Sequence, residues 1–317
     1  SPGFPVRVVL AYDASALFQS PGPDSMVMAL RNARALDSDM TRTGPVKVIV
    51  DGSIQGYTAQ LKSPGYIRRG FSNPMWNVQP DSLSALARPF LDAGFPVAFH
   101  VNGDSASAVV LQMLQALQAA RPSRTPGSQW PGGPDSLWAI LQHNQVTRPE
   151  QYRQARALGV GMNLFANHIY YYGEQHARYT IGRGRADSMN AAALAQRLGV
   201  PYSLHSDAPV TPAQPLLAAW VAMERLPAAC LTTTPLPDFC PLGADQRITV
   251  DQALYAITMG GATLLNMAGE VGSIEVGKRA DFVALGADPY ALPGGMRLKD
   301  VPVRATMVGG RLNRANP

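Results

Sequence analysis

The chain has 317 residues, of which 46% are hydrophobic and 15% charged, and a formal net charge of +5. That length suits one large domain or a barrel with an appendage, and the composition excludes wholesale disorder. Basic residues fall in short scattered clusters (Arg31/Arg34, Arg68/Arg69, Arg183/Arg185) without an interleaved aromatic stripe, so no nucleic-acid partner is expected. No apolar run approaches the ~20 residues a membrane span needs.

The chain opens on Ser1-Pro2 without a methionine, which reads as a processed product or a fragment. Cys230 and Cys240 flank a Pro/Thr-rich loop at a spacing that suits neither a CxxC redox motif nor a zinc knuckle. Two free thiols in a cytoplasmic protein fit this spacing as well as a loop-closing disulfide in a periplasmic or secreted one.

In chain order, Val6–Ala11 is a β-branched run expected to form a buried strand, and Asp24–Leu36 a helix. Val46–Val50 is the next strand, ending at Asp51-Gly52-Ser53. Lys47 interrupts its apolar character, either as a snorkelling side chain or as a lysine aimed into a barrel interior. Residues 53–80 lack periodicity and are rich in Gly, Pro and aromatics, as a functional loop would be. Asp81–Ala93 is expected to be a helix capped by Asp81, followed by the strand Pro96–Val101 and a helix from Asp104 to about Ala120. A Pro/Gly/Ser loop fills 121–136. Leu137–Leu141 is a strand leading to His143, Pro149–Leu158 a helix and Val160–Phe165 a strand. Asn167-His168 and Tyr170–Tyr172 follow, then a helix over Asp187–Leu198 and a strand at Tyr202–Leu204 that runs into His205-Ser206-Asp207. Period-2 geometry puts His205 and Asp207 on one face. Helices are expected at Leu216–Arg225 and from Val250 to Met267. After these come a turn-rich hairpin at Gly272–Lys278 and short strands at Phe282–Leu285 and Ala305–Val308.

Alternating strands and helices, with continuous apolar strands, argue for a parallel sheet covered on both faces. The expected class is α/β: a (β/α)8 barrel over residues 1–268, represented by six of its strands, and a β-sandwich segment over 269–317. No GxGxxG or Walker A motif supports a nucleotide-binding sheet. His100, His143 and Asp207 close three different strands, at the end where a barrel carries its active site. Together with Lys47 they form a donor set suited to Zn2+ or a similar divalent metal.

Five stretches then resemble, in order, the amidohydrolase superfamily, and within it the YtcJ-like branch, amidohydrolase family 3. They are Val46–Ser53, Phe99–Asp104, Leu141–His143, His205–Val210 and Gly272–Phe282. The resemblance runs from about residue 5 to 312. It implies that Lys47 is the fourth-strand lysine, which can be carboxylated to bridge two metals. It makes His100 and His143 the fifth- and sixth-strand metal ligands. Asp207 becomes the eighth-strand aspartate, ligating metal and shuttling the proton for attacking water. Asp104, His168, Tyr171 and His205 are assigned to substrate binding or to supporting the ligands. The family's first-strand His-x-His pair is absent from this chain, as are its first two barrel strands. The resemblance therefore implies an N-terminal segment or partner chain that completes the barrel.

The leading expectation is a metal-dependent hydrolase that cleaves an amide or cyclic amide C–N bond of a small molecule. The alternatives are a non-catalytic remnant or regulatory subunit and, less well supported, a glycosidase built on strand-end carboxylates. The loop at 53–80 and Tyr170–Tyr172 fit an aromatic-lined pocket and ordinary packing equally. The sequence does not choose between a monomer and a homo-oligomer.

Overall fold

The computed structural model describes residues 6–14, 22–68, 70, 72–120 and 137–314; the expected loop at 121–136 lies outside them. Six strands form one parallel sheet in sequence order: β1 (Val8–Asp13), β2 (Thr41–Ile49), β3 (Val97–Val101), β4 (Ala139–His143), β5 (Gly161–Leu164) and β6 (Tyr202–Leu204). Helices α1 (Pro23–Arg34), α2 (Pro80–Asp92), α3 (Asp104–Ala119) and α4 (Pro149–Leu158) provide the crossovers that parallel strands require. The result is a curled half-barrel, and all six strands expected from the sequence are present.

The pleat sorts the sheet's side chains. Val46, Val48, Val97, Phe99 and Leu141 are buried in one core with Leu83, Phe90, Leu111 and Leu114 of α2 and α3. The opposite, concave face begins with a small separate cluster of Ala98, Leu137, Ile140 and Leu264. It continues toward the strand C-termini with polar residues in register: Lys47 beside Ala98, His100 beside Gln142, Gln142 beside Asn163, and Asn163 beside Ser203.

Beyond β5, α5 (Asn167–Gln175) runs into a single π-helical turn, His176–Thr180, so the tyrosine run 170–172 is helical. The helix expected over 187–198 is instead two, α6 (Arg183–Asp187) and α7 (Ala192–Leu198). Asn190 between them takes left-handed backbone, φ 46°, and its Oδ1 accepts the Phe165 N–H at 3.1 Å. After α8 (Pro215–Glu224), the helix expected from Val250 to Met267 breaks at Thr258 into α9 (Val250–Ile257) and α10 (Met259–Leu264). Gly260 is pressed on β6 there: a Cβ would stand 2.4 Å from the Tyr202 carbonyl oxygen.

Asp81 does not cap α2. The helix starts at Pro80, whose fixed φ suits the first helical position, with Gln79 before it and no side-chain cap. Residues Gly272–Lys278 form no strand; Lys278 Nζ holds the turn through Ser273 Oγ and, at 3.2 Å, Glu275 Oε1. The tail is a three-stranded antiparallel sheet of β7 (Phe282–Leu285), β8 (Val303–Val308) and β9 (Arg311–Arg314). A disulfide joins Cys230 to Cys240 between α8 and α9. No helix among the described residues is long and apolar enough to cross a membrane.

Candidate metal centre

The C-terminal ends of β3, β4 and β6 bring three imidazoles together. The His143 ring centroid lies 4.3 Å from that of His100 and 4.9 Å from that of His205. Strand register alone would not achieve this. His143 pairs with Val101, which faces the helices, so strict alternation would point it away from His100. His143 instead takes left-handed backbone, φ 74°, which breaks the pleat at its last residue and brings the ring to the concave side. Asp207 lies three residues past β6, also left-handed at φ 52°. Its position comes from that turn rather than from strand alternation with His205. Its Oδ2 is 4.0 Å from His143 Nδ1.

His143, His205 and Asp207 each offer a ligand atom within 4.8 Å of the others. His205 Nε2 is buried without a hydrogen-bond partner. Burial lowers the pKa of all three histidines: His100 to about 4, His205 to about 3, and His143 well below the usual value. Neutral imidazoles with free lone pairs are the form a metal requires. Two nitrogens and a carboxylate oxygen suit zinc or a similar divalent ion, so the residues present fit a metal.

His100 belongs to the same cluster but is partly occupied. Its Nε2 lies 3.1 Å from the Gly52 carbonyl, which also accepts from Asn102 Nδ2 at 2.7 Å. Asn102 Nδ2 is also 2.9 Å from His100 Nε2, but its two N–H bonds diverge by about 120° and the shorter contact, to the carbonyl, aligns one of them away from the ring. A bare Nε2 would set its lone pair against that carbonyl, so Nε2 carries the proton and Nδ1 is left for a ligand. Lys47 is half-buried on β2 and donates from Nζ to Gln142 Oε1. Desolvation lowers its pKa to about 8, against the opposing attraction of Asp207 and Asp13. Burial raises the Asp207 pKa, and Lys47 partly offsets this.

The other candidates separate. Asp104 is buried, and its carboxylate accepts the Lys62 N–H at 2.8 Å and pairs with Arg148 Nε at 2.5 Å, tying the 53–68 segment to α3. His168 is fully buried and packs against Phe165, outside the His143/His205/Asp207 group. Tyr171 is exposed at 42% and stacks edge-on against Tyr170. Sequence reasoning missed Gln142, Asn163 and Ser203, although each interrupts an apolar strand on the same face, a detectable signal. His176 also went unremarked; it joins His168 inside the helical layer.

A parallel half-barrel with a His/His/Asp cluster at its C-terminal mouth defines a barrel-type α/β chain with a candidate metal site. The amidohydrolase family model Amidohydro_3 matches residues 2–313, and the chain belongs to that family. It is similar to the putative amidohydrolase YtcJ of Bacillus subtilis (strain 168), 26% identical over 273 residues, covering 85% of this chain and 46% of that protein. It is also similar to an N-substituted formamide deformylase of Arthrobacter pascens, 27% identical over 222 residues, covering 69% of this chain and 36% of that protein. Among solved structures, an uncharacterized metal-dependent hydrolase from Pyrococcus horikoshii OT3 shares the fold, with a TM-score of 0.63 at 20% identity, over 80% of this chain and 47% of that one. The chain thus spans less than half the length of these relatives.

Proposed function

We propose that this chain supplies the larger part of a hydrolase active site that cleaves the C–N bond of an amide, a formamide or a cyclic amide. The observation that carries the reading is the convergence of His143, His205 and Asp207 from two strand ends, beside His100, in a member of the amidohydrolase family. The similarity to a formamide deformylase supports a small N-substituted amide as substrate. The rest of a (β/α)8 barrel, including further metal ligands, comes from an N-terminal segment or partner chain. In this reading the described residues up to 268 belong to the barrel part and those from 269 onward to the sandwich part. The Cys230–Cys240 disulfide favours an oxidising compartment, periplasmic or secreted, over the cytoplasm.

His143, His205 and Asp207 would hold a divalent ion, with His100 and Lys47, carboxylated or free, beside them. When bound, such an ion lowers the pKa of its water to about 7 and polarises the substrate carbonyl. Asp207 does the proton work: its carboxylate takes the proton from the attacking water and returns it to the leaving nitrogen. Buried, neutral histidines keep competing positive charge out of the site.

The test is metal content with turnover. Protein purified with any co-purifying chain should contain stoichiometric divalent metal and release benzylamine from N-benzylformamide. Chelation should abolish release, and Zn2+ should restore it. Protein that stays active after exhaustive chelation defeats the reading.

A further inference from the structure

The peptide groups on either side of Asp207 are both held. Thr211 Oγ1 donates to the Ser206 carbonyl oxygen at 2.5 Å, and the Val210 N–H donates to the Asp207 carbonyl oxygen at 2.8 Å. The first bond fixes the planar peptide that precedes Asp207 and the second the one that follows. Together they set the left-handed backbone of the residue between them, φ 52°. The Asp207 side chain is 42% exposed and stands 4.0 Å from His143, so the direction of its carboxylate follows from that backbone. Packing has little hold on the turn, because residues 207–210 are all exposed.

Thr211 is the first buried residue beyond the turn, and it is itself held. Its Oγ1 accepts from Asn167 Nδ2 at 2.9 Å, and Asn167, the first residue of α5, is fully buried. With the amide donating to Oγ1, the one hydroxyl proton is left for the Ser206 carbonyl. Asn167 lies two residues after Phe165, whose ring meets His143 at 5.9 Å and His205 at 4.7 Å between centroids. The relay Asn167–Thr211–Ser206 therefore starts from the wall on which two imidazoles of the site pack and ends at the turn that carries the carboxylate.

We propose that Thr211 is a positioning residue for Asp207: its hydroxyl, oriented by Asn167, holds the turn that keeps the carboxylate within reach of His143 and His205. The assignment rests on the hydrolase reading above, in which Asp207 moves the proton. Thr211 acts through the turn, without touching the reacting atoms. Without its bond the Ser206 peptide can rotate, and the exposed carboxylate swings away from the imidazoles. A group that must meet both a water and a leaving nitrogen tolerates little such displacement.

A double-mutant cycle tests the assignment. Thr211→Val keeps the side-chain shape and removes the hydroxyl, and Thr211→Ser keeps the hydroxyl. At saturating Zn2+, Thr211→Val should lower kcat for N-benzylformamide about tenfold or more while KM moves less than about twofold. The Zn2+ dissociation constant, read by competition with a chromogenic chelator, should rise about five- to tenfold. Thr211→Ser should restore both. In an Asp207→Asn background, Thr211→Val should change neither the residual rate nor the Zn2+ affinity by more than about twofold, because the group it positions is already gone. If Thr211→Val does not fold, Asn167→Ala, which releases the hydroxyl without removing it, carries the same cycle. Equal losses in both backgrounds, or wild-type kcat and Zn2+ affinity in folded Thr211→Val, overturn the assignment and leave the hydrolase reading standing. Turnover that survives chelation overturns the hydrolase reading, and the Zn2+ arm of the cycle still decides whether Thr211 positions Asp207.

Discussion

His143 Nδ1 and Asp207 Oδ2 stand 4.0 Å apart, and both residues hold left-handed backbone. Neither is a glycine, and such backbone costs of the order of 1 kcal/mol at a non-glycine residue; strain of this kind clusters at functional sites. Here it puts a strand-end histidine and a loop aspartate on the same side of the sheet.

That geometry makes Asp207→Asn a clean probe. Asparagine tolerates left-handed backbone at least as well as aspartate, and the Asp207 side chain is 42% exposed, with His143 its nearest charged or ionisable partner among the described residues at 4.0 Å. The melting temperature should stay within about 1–2 °C, a change within the ±0.5 kcal/mol usual for exposed sites. Amide hydrolysis should fall by about 10²–10⁴-fold, the usual contribution of a positioned proton-transfer group. Full activity in a folded variant rules out Asp207 as the shuttle.

The loop above the site is latched to β3 and α3 around Asp51, Gln60 and Gly103. Asp51 is buried, and its carboxylate accepts the backbone N–H groups of Asn102, Gly103 and Gln60 at 2.9, 2.9 and 3.0 Å. The Gln60 carbonyl accepts from Ser105, and a Cβ on Gly103 would stand 1.9 Å from that oxygen. Gly103→Ala must push the 53–68 segment off β3 and α3. A loss of about 1–3 kcal/mol in denaturant unfolding is expected, with new tryptic cleavage after Lys62. Unchanged stability and protease resistance would show that the segment is held elsewhere.

The strand-helix alternation was legible because parallel strands buried on both faces read as continuous apolar runs, and His100, His143 and Asp207 because polar groups end those runs. Convergence was less so. It depends on positive φ at His143 and Asp207, and no residue-type pattern specifies that backbone. The break at Thr258 follows from Gly260 docking on Tyr202, a contact between residues 58 apart in sequence. The Gly260-Gly261 pair marks a weak point in the helical pattern over 250–267, but not the contact that sets the break. The His168–His176 pair was hidden because helical spacing made both look like ordinary buried positions.

Charge pairs tie the small sheet to the start of the half-barrel. Arg7 grips Asp281 through two bonds, 2.6 and 3.0 Å, and Asp281 also accepts the Gly309 N–H at 2.7 Å. Arg42 and Arg279 both reach Glu270, at 2.7 and 3.2 Å. These arginines hold the Asp281 and Glu270 carboxyls below their ordinary values. A depressed carboxyl pKa contributes stability above its unfolded value, about 4, which is lost as pH falls through the folded value. Unfolding free energy should therefore drop as pH falls from 5 toward 3. Asp281→Asn should remove part of that slope and at most about 1 kcal/mol at pH 7, less in high salt. An identical pH slope in the variant would show that the pair is not coupled to folding.

The disulfide acts on the helix that carries His168. Cys230 and Cys240 enclose a loop whose Phe239 and Cys230 are buried, and the flanking Pro227 and Leu242 press on α5. A Cβ on Gly173 would meet Pro227 Cγ at 2.7 Å and Leu242 Cδ1 at 2.8 Å. Because the loop is short, cross-linking it restricts the unfolded chain by only about 2–3 kcal/mol. Reductant should lower the melting temperature of the wild-type chain to that of Cys230→Ser/Cys240→Ser and leave the double variant unchanged. Protection of α5 amides against hydrogen exchange should fall in both reduced and doubly substituted protein, because their local opening is coupled to the loop packed on them. Equal melting temperatures for the wild type with and without reductant would mean that the loop is held by packing alone.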